Sequence, residues 1–108
     1  MSNRLYYILI FTAIVASMTA QNSVIFGIIR DIDSNQGIDF VTVYIDGTTN
    51  VTESDNNGQY KITTDPNKKV ILKFSRLGYT DLTVNVESMQ PGQKRNINVK
   101  MVPKASDL

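Results

Sequence analysis

Apolar and polar residues alternate with a period of two along most of this chain. Val41, Val43 and Ile45 point one way and Thr42 and Tyr44 the other, so Phe40 to Asp46 is predicted to be a strand. Tyr60 and Ile62 alternate with Gln59, Lys61 and Thr63, and Val70, Leu72 and Phe74 alternate with Lys73 and Ser75. The same pattern places Leu82, Val84 and Val86 opposite Thr83 and Asn85, and Ile97, Val99 and Met101 opposite Asn98 and Lys100. Val51 to Ser54 adds a short strand. Between these runs stand Gly47-Thr48-Thr49-Asn50, Asp65-Pro66-Asn67-Lys68, Gly78 and Pro91-Gly92, all with turn chemistry, and Pro103 closes the last strand. No helical period occurs after Ala20. About seven short strands with a turn roughly every ten residues predict an all-β sandwich.

Two stretches depart from simple alternation. Asp55-Asn56-Asn57-Gly58 joins two alternating runs as a hairpin turn, with Gly58 expected at positive φ because it carries no Cβ. The first strand, Ser23 to Arg30, is apolar on both faces: Ile25, Gly27 and Ile29 on one, Val24, Phe26 and Ile28 on the other. A strand with one wet face should alternate with polar residues. Val24, Phe26 and Ile28 therefore mark either a docking strand, by face or by edge addition, or a surface that Pro66 to Lys69 or the tail after Pro103 covers.

At 108 residues the chain holds one domain. Residues 1–20 read as a signal peptide: Arg4, then apolar Leu5 to Val15 broken only by Thr12, then Ala16, Ser17, Thr19 and Ala20. That run is shorter than the roughly 20 residues a spanning helix needs. An exported domain over residues 21–103 and a tail over 104–108 follow. Charge is balanced, 11 Lys and Arg against 10 Asp and Glu, which argues against a nucleic-acid partner. Cys and His are both absent, removing disulfides, the usual zinc sites, Cys nucleophiles and His-based triads.

Several motifs, taken in order, resemble a known family. Gly27-x-Ile29-x-Asp31 is similar to an opening "G-x-V-x-D", and Ile38 to Ile45 to a "P-L-P-F-A-x-V-x-V" strand. Gly47-Thr48-Thr49, Ser54-Asp55 and Gly58-x-Tyr60 resemble a "G-T … T-D-x-x-G-x-F" hairpin, and Leu72-x-Phe74-Ser75-x-Leu77-Gly78-Tyr79 an "L-x-F-S-x-x-G-Y" strand. Val51 and Glu53 depart from that pattern, and Gly37 and Asp39 stand where the second strand's entry would carry proline. The pattern is that of the carboxypeptidase-regulatory-like domain. The resemblance implies a seven-stranded antiparallel Greek-key β-sandwich of the transthyretin (prealbumin) type. In Bacteroidota such domains are often the N-terminal extension of TonB-dependent (SusC-like) receptors. It therefore implies residence in the periplasm or at the outer membrane, with membrane association only through a partner or a downstream plug and barrel. The sequence leaves open whether the chain is the front of a longer receptor or stands alone, and it does not give an oligomeric state.

Candidate chemistry is sparse. Glu53-x-Asp55-x-Asn57-Gly58 begins like a calcium loop, but Thr64 holds the twelfth position, where a bidentate Glu belongs. No metal or other cofactor is expected. Asp31 and Asp33 could pair with Asp39 or Asp46 as an acid/base dyad, yet all fall where turn-forming acids are common. The hydrolase on the transthyretin fold relies on histidines, so no catalytic residue is assigned. Phe40 and Tyr44 are the candidate exposed aromatics of a carbohydrate-binding module. Asp55, Gly58, Tyr60, Phe74, Gly78 and Tyr79 are read as structural, with Tyr79 a corner residue bonding back to the backbone. The reading is a non-catalytic module for protein contact or structural spacing.

Overall fold

The computed structural model describes residues 21–105. The signal-peptide reading of residues 1–20 and the end of the expected tail lie outside them. Every regular element among the described residues is a strand: β1 (Ser23–Asp31), β2 (Thr42–Ile45), β3 (Val51–Glu53), β4 (Gln59–Thr64), β5 (Val70–Ser75), β6 (Leu82–Val86), β7 (Lys94–Asn96) and β8 (Val99–Met101). They form two sheets packed face to face. One has β1 at its centre, with β4 on one side and β7 and β8 on the other; the second runs β3-β2-β5-β6. This is the sandwich that alternation predicts.

Inward-facing residues of both sheets make the core. Ile25 and Ile29 from β1, Val43 and Ile45 from β2, Tyr60 and Ile62 from β4, and Leu72 and Phe74 from β5 are all buried. Tyr60 meets Phe74 edge to face, ring centroids 5.4 Å apart at 89°, a favoured aromatic geometry. Leu82, Val84, Ile97 and Val99, predicted inward, do point inward but are only half-buried. They sit on β6 and along the β7/β8 edge, where no further strand closes the side.

Three details differ from the sequence-based expectation. The second strand begins at Thr42, not Phe40, because Phe40 takes a φ of 55°. Its amide donates to the Ser54 carbonyl, while the next amide, Val41, donates to Ser54 Oγ. The last strand starts three residues early, at Lys94, and comes in two pieces, so eight strands are present where seven were expected. Both pieces run parallel to β1, whereas all other strand pairs are antiparallel. Nothing enforces antiparallel pairing there, since no hairpin joins the first strand to the last.

The gap between β7 and β8 has a local cause. Val24 faces Lys94 and Ile29 faces Val99, so the register is the same on both sides and no residue is inserted. The Ile97 amide donates to the Phe26 carbonyl. In an unbroken parallel ladder the Ile28 amide would then donate to the Ile97 carbonyl. That carbonyl instead accepts the Tyr60 hydroxyl at 2.6 Å, and Asn98 Oδ1 accepts from the Ile28 amide at 2.9 Å. Gly27 permits the arrangement: a Cβ there would lie 2.0 Å from the Ile97 carbonyl oxygen.

Candidate functional site

The outer face of the β1 sheet is built from residues far apart in sequence. Alternation turns Val24, Phe26 and Ile28 away from the core, while Ile25, Gly27 and Ile29 on the opposite face are buried. Pairing with β4 sets Thr63 beside Val24, Lys61 beside Phe26 and Gln59 beside Ile28. On the other flank Lys94 stands beside Val24 and Asn96 beside Phe26. Phe26 remains 38% exposed, and Val24 and Ile28 are half-buried between these polar neighbours. Phe26, Ile28 and Gln59 help to line a groove of about 620 Å³, whose far rim is Thr52, Glu53 and Asp55.

Among the described residues, neither of the segments expected to cover this stripe does so. Asn67, in the Pro66 to Lys69 turn, donates its amide to the Met89 carbonyl. The tail after Met101 pairs with the turn following β5: Thr80 donates to the Val102 carbonyl and Lys104 to the Gly78 carbonyl. Edge addition to β1 is closed off as well, because strands occupy both of its sides. What β1 offers is a face.

The other predicted residues are placed as follows. Gly58 has a φ of 80°, as expected for the hairpin. Asp55 holds that turn: Oδ1 accepts from the Asn57 and Gln59 amides, each at 2.9 Å. Phe40 is 61% exposed, but its left-handed backbone takes it out of register with the half-buried Tyr44, which lies on β2 between Val51 and Lys73. The two aromatics do not continue one strand face. The four acids considered for a dyad do not come together in one either. Asp39 pairs with Arg76 at 3.3 Å and Asp46 with Lys73 at 3.5 Å.

Asp31 forms a turn, as its setting in the sequence suggests, and also makes a bond that was not expected. Its Oδ1 accepts from the Asp33 and Ser34 amides, and its Oδ2 accepts the Tyr79 hydroxyl at 2.7 Å. Tyr79 was expected to bond to backbone; a carboxylate is its partner instead, because the turn after β5 lies against the end of β1. Bonds from the Ser34 amide, the Tyr79 hydroxyl and the Asp33 amide hold the Asp31 carboxyl below its ordinary value. The bond to Asp31 raises the Tyr79 hydroxyl in turn. Burial alone raises Tyr60.

Sequence reasoning passed over Lys61, Lys94, Asn96 and Asn98. Lys61 and Asn98 signalled only the polar side of their strands, Lys94 and Asn96 fell outside any predicted strand, and only the register of the strands brings them to one stripe.

A family model described as the CarboxypepD_reg-like domain matches residues 25–108. No curated protein matches the sequence. Among solved structures, a chain of a type II cohesin–X-dockerin complex from Acetivibrio cellulolyticus is similar, with 20% identity and a TM-score of 0.56, over 80% of this chain and 60% of that one. Catechol 1,2-dioxygenase from Acinetobacter sp. ADP1 superposes with a TM-score of 0.65 at 10% identity, over 83% of this chain and 55% of that one. The Bacillus anthracis TIE protein gives 0.59 at 17% identity, over 77% of this chain and 17% of its own. This chain thus spans less than two thirds of each, and at such identities the likeness is one of fold.

Proposed function

The chain belongs to the carboxypeptidase-regulatory-like domain family, and from that premise we propose that it is a non-catalytic, exported module whose task is contact with another protein. The observation that carries this is the outer face of β1. Val24, Phe26 and Ile28 form an apolar stripe at the centre of a sheet, and no other part of the described chain covers it. Apolar strips of this kind usually mark contact surfaces. A non-catalytic role agrees with the absence of His and Cys and with the acids, which are spent on turns and ion pairs. A sandwich of similar shape is a chain of an assembled complex in the cohesin–X-dockerin structure.

In cellular terms we place the module in the periplasm or at the outer membrane, as the N-terminal extension of a TonB-dependent receptor or a relative of such extensions. Its partner is then the plug and barrel or a neighbouring envelope protein. Reading the coding sequence beyond Leu108 for a plug and barrel tests the receptor context. A photo-cross-linking residue at position 26, introduced in the native cells, tests the contact. A discrete cross-linked protein that disappears on Ile28→Thr supports the reading. An uncross-linked chain overturns it, and so does a Phe26→Thr/Ile28→Thr protein that unfolds, since the stripe would then be structural.

A further inference from the structure

We propose that the partner laid along this face is an acidic protein segment carrying apolar side chains, bound in an extended form over β1. The inference rests on the contact reading above and adds the chemistry of what is bound. Strand parity puts Arg30 on the same face as Val24, Phe26 and Ile28. Residues directly opposite in register share a face. Lys61 stands opposite Phe26, Lys94 opposite Val24 and Lys100 opposite Arg30. The remaining residues that parity assigns to this face on β4, β7 and β8 are Gln59, Thr63 and Asn96. Four cations therefore frame an apolar stripe, and the strands of this sheet place no carboxylate among them.

Those cations are also unspent. Among the described residues the ion pairs use Lys68, Lys69, Lys73 and Arg76, and Arg30, Lys61, Lys94 and Lys100 appear in none. Arg95 and Lys104 are outside the ion pairs too, but Arg95 takes the opposite parity and Lys104 lies by Gly78, so most of the unpaired positive charge of a protein of balanced total charge stands on this one face. Such a field raises association rates with, and discriminates in favour of, an oppositely charged partner.

Shape selects among anionic partners. Val24 and Ile28 are half-buried and Phe26 alone is exposed, so the stripe has little to insert into a bilayer. Glu53 and Asp55 on the far rim of the groove would be pressed against any broad anionic surface. A single extended segment following β1 meets the lysines and clears that rim. Because β1 has no open edge, recognition runs through side chains alone.

The test is an NMR titration of the protein with three probes: a soluble peptide alternating Glu with Leu, the same peptide with Lys for Glu, and phosphatidylglycerol vesicles. The acidic peptide is expected to shift Val24 to Arg30, Lys61 and Lys94, to weaken as salt rises, and to lose affinity on the order of tenfold in Lys61→Glu/Lys94→Glu. Lys61→Gln/Lys94→Gln serves the same purpose should the double reversal fold poorly. Equal binding of the two peptides, or shifts elsewhere, overturns the proposal. Vesicle binding that depends on Lys61 and Lys94 overturns it in favour of a lipid surface. If position 26 still cross-links a protein while both charge variants bind as wild type, the acidic partner is wrong and the contact stands. If nothing cross-links, both fall.

Discussion

β1 shows two faces of one strand under opposite demands. Its inner residues Ile25, Gly27 and Ile29 are sealed, and Gly27 lies so close to the last strand that not even a methyl group fits. Its outer residues Val24, Phe26 and Ile28 are no less apolar, yet they sit among Lys61, Lys94 and Asn96 with room above them. Hydrophobicity alone does not separate the two sets. The difference lies in what stands opposite: a second sheet packed at van der Waals distance, or long polar side chains that move aside. A change on the inner face should therefore register in stability, and one on the outer face in association.

The largest effect is expected from Gly27→Val. Its Cβ would fall 2.0 Å from the Ile97 carbonyl oxygen, a backbone atom already committed to Tyr60, and circular dichroism should find no folded population. A cooperative melt near wild type would show that β1 and the last strand can part without harm. Phe74→Ala, across the core, should cost about 3–5 kcal/mol through lost transfer energy and a residual cavity, measured by urea denaturation. An unchanged midpoint would remove the inner face from the centre of stability. Gly58→Val comes next. A Cβ there would lie 2.4 Å from the Ile29 carbonyl and φ is 80°, so a loss of about 2–3 kcal/mol is expected from strain. Asn56→Ala, on the same turn, should cost less than about 0.5 kcal/mol. Equal melting points for the two would mean the end of β1 is slack.

The clasp between Asp31 and Tyr79 should give a smaller, pH-dependent effect. Asp31 is held below the ordinary carboxylate value, so its contribution is present above that ordinary value and fades as pH falls through the lowered one. The difference in melting temperature between wild type and Tyr79→Phe should persist at neutral pH and shrink in acid. A difference that grows in acid would reverse the assignment. The smallest effect is expected from Phe26→Thr/Ile28→Thr. It should keep β-propensity and cost less than about 1 kcal/mol while abolishing co-sedimentation with the partner. A larger loss would erase the distinction between the faces.

Much of this was legible in the sequence, and the omissions have physical reasons. Hairpins and clean alternation identify the inner faces of β2, β4 and β5, because the period tells which side a residue takes. It does not tell depth: Leu82, Val84, Ile97 and Val99 face inward and stay half-exposed on open flanks. β7 was invisible because Lys94-Arg95-Asn96 has no apolar member. The left-handed Phe40 was hidden too, since Phe carries no signal for positive φ, whereas Gly58 does. The stripe on β1 showed itself by its missing alternation. Its frame of cations did not, for charge on a face becomes readable only once registers are known.

The pairing of Val24 with Lys94 also sets the order in which the molecule can be made. β2, β3, β5 and β6 join neighbours nearby in the chain, but the first strand gains its second flank only from the last. Loop-closure entropy must be met before that contact gives anything back, which slows folding in proteins ruled by distant pairings. Until Lys94 to Met101 arrives, β1 has an unpaired edge beside its apolar stripe. During synthesis or refolding this half-built sheet is the species most exposed to aggregation. The final eight residues of the sandwich are thus both its closing step and its protection.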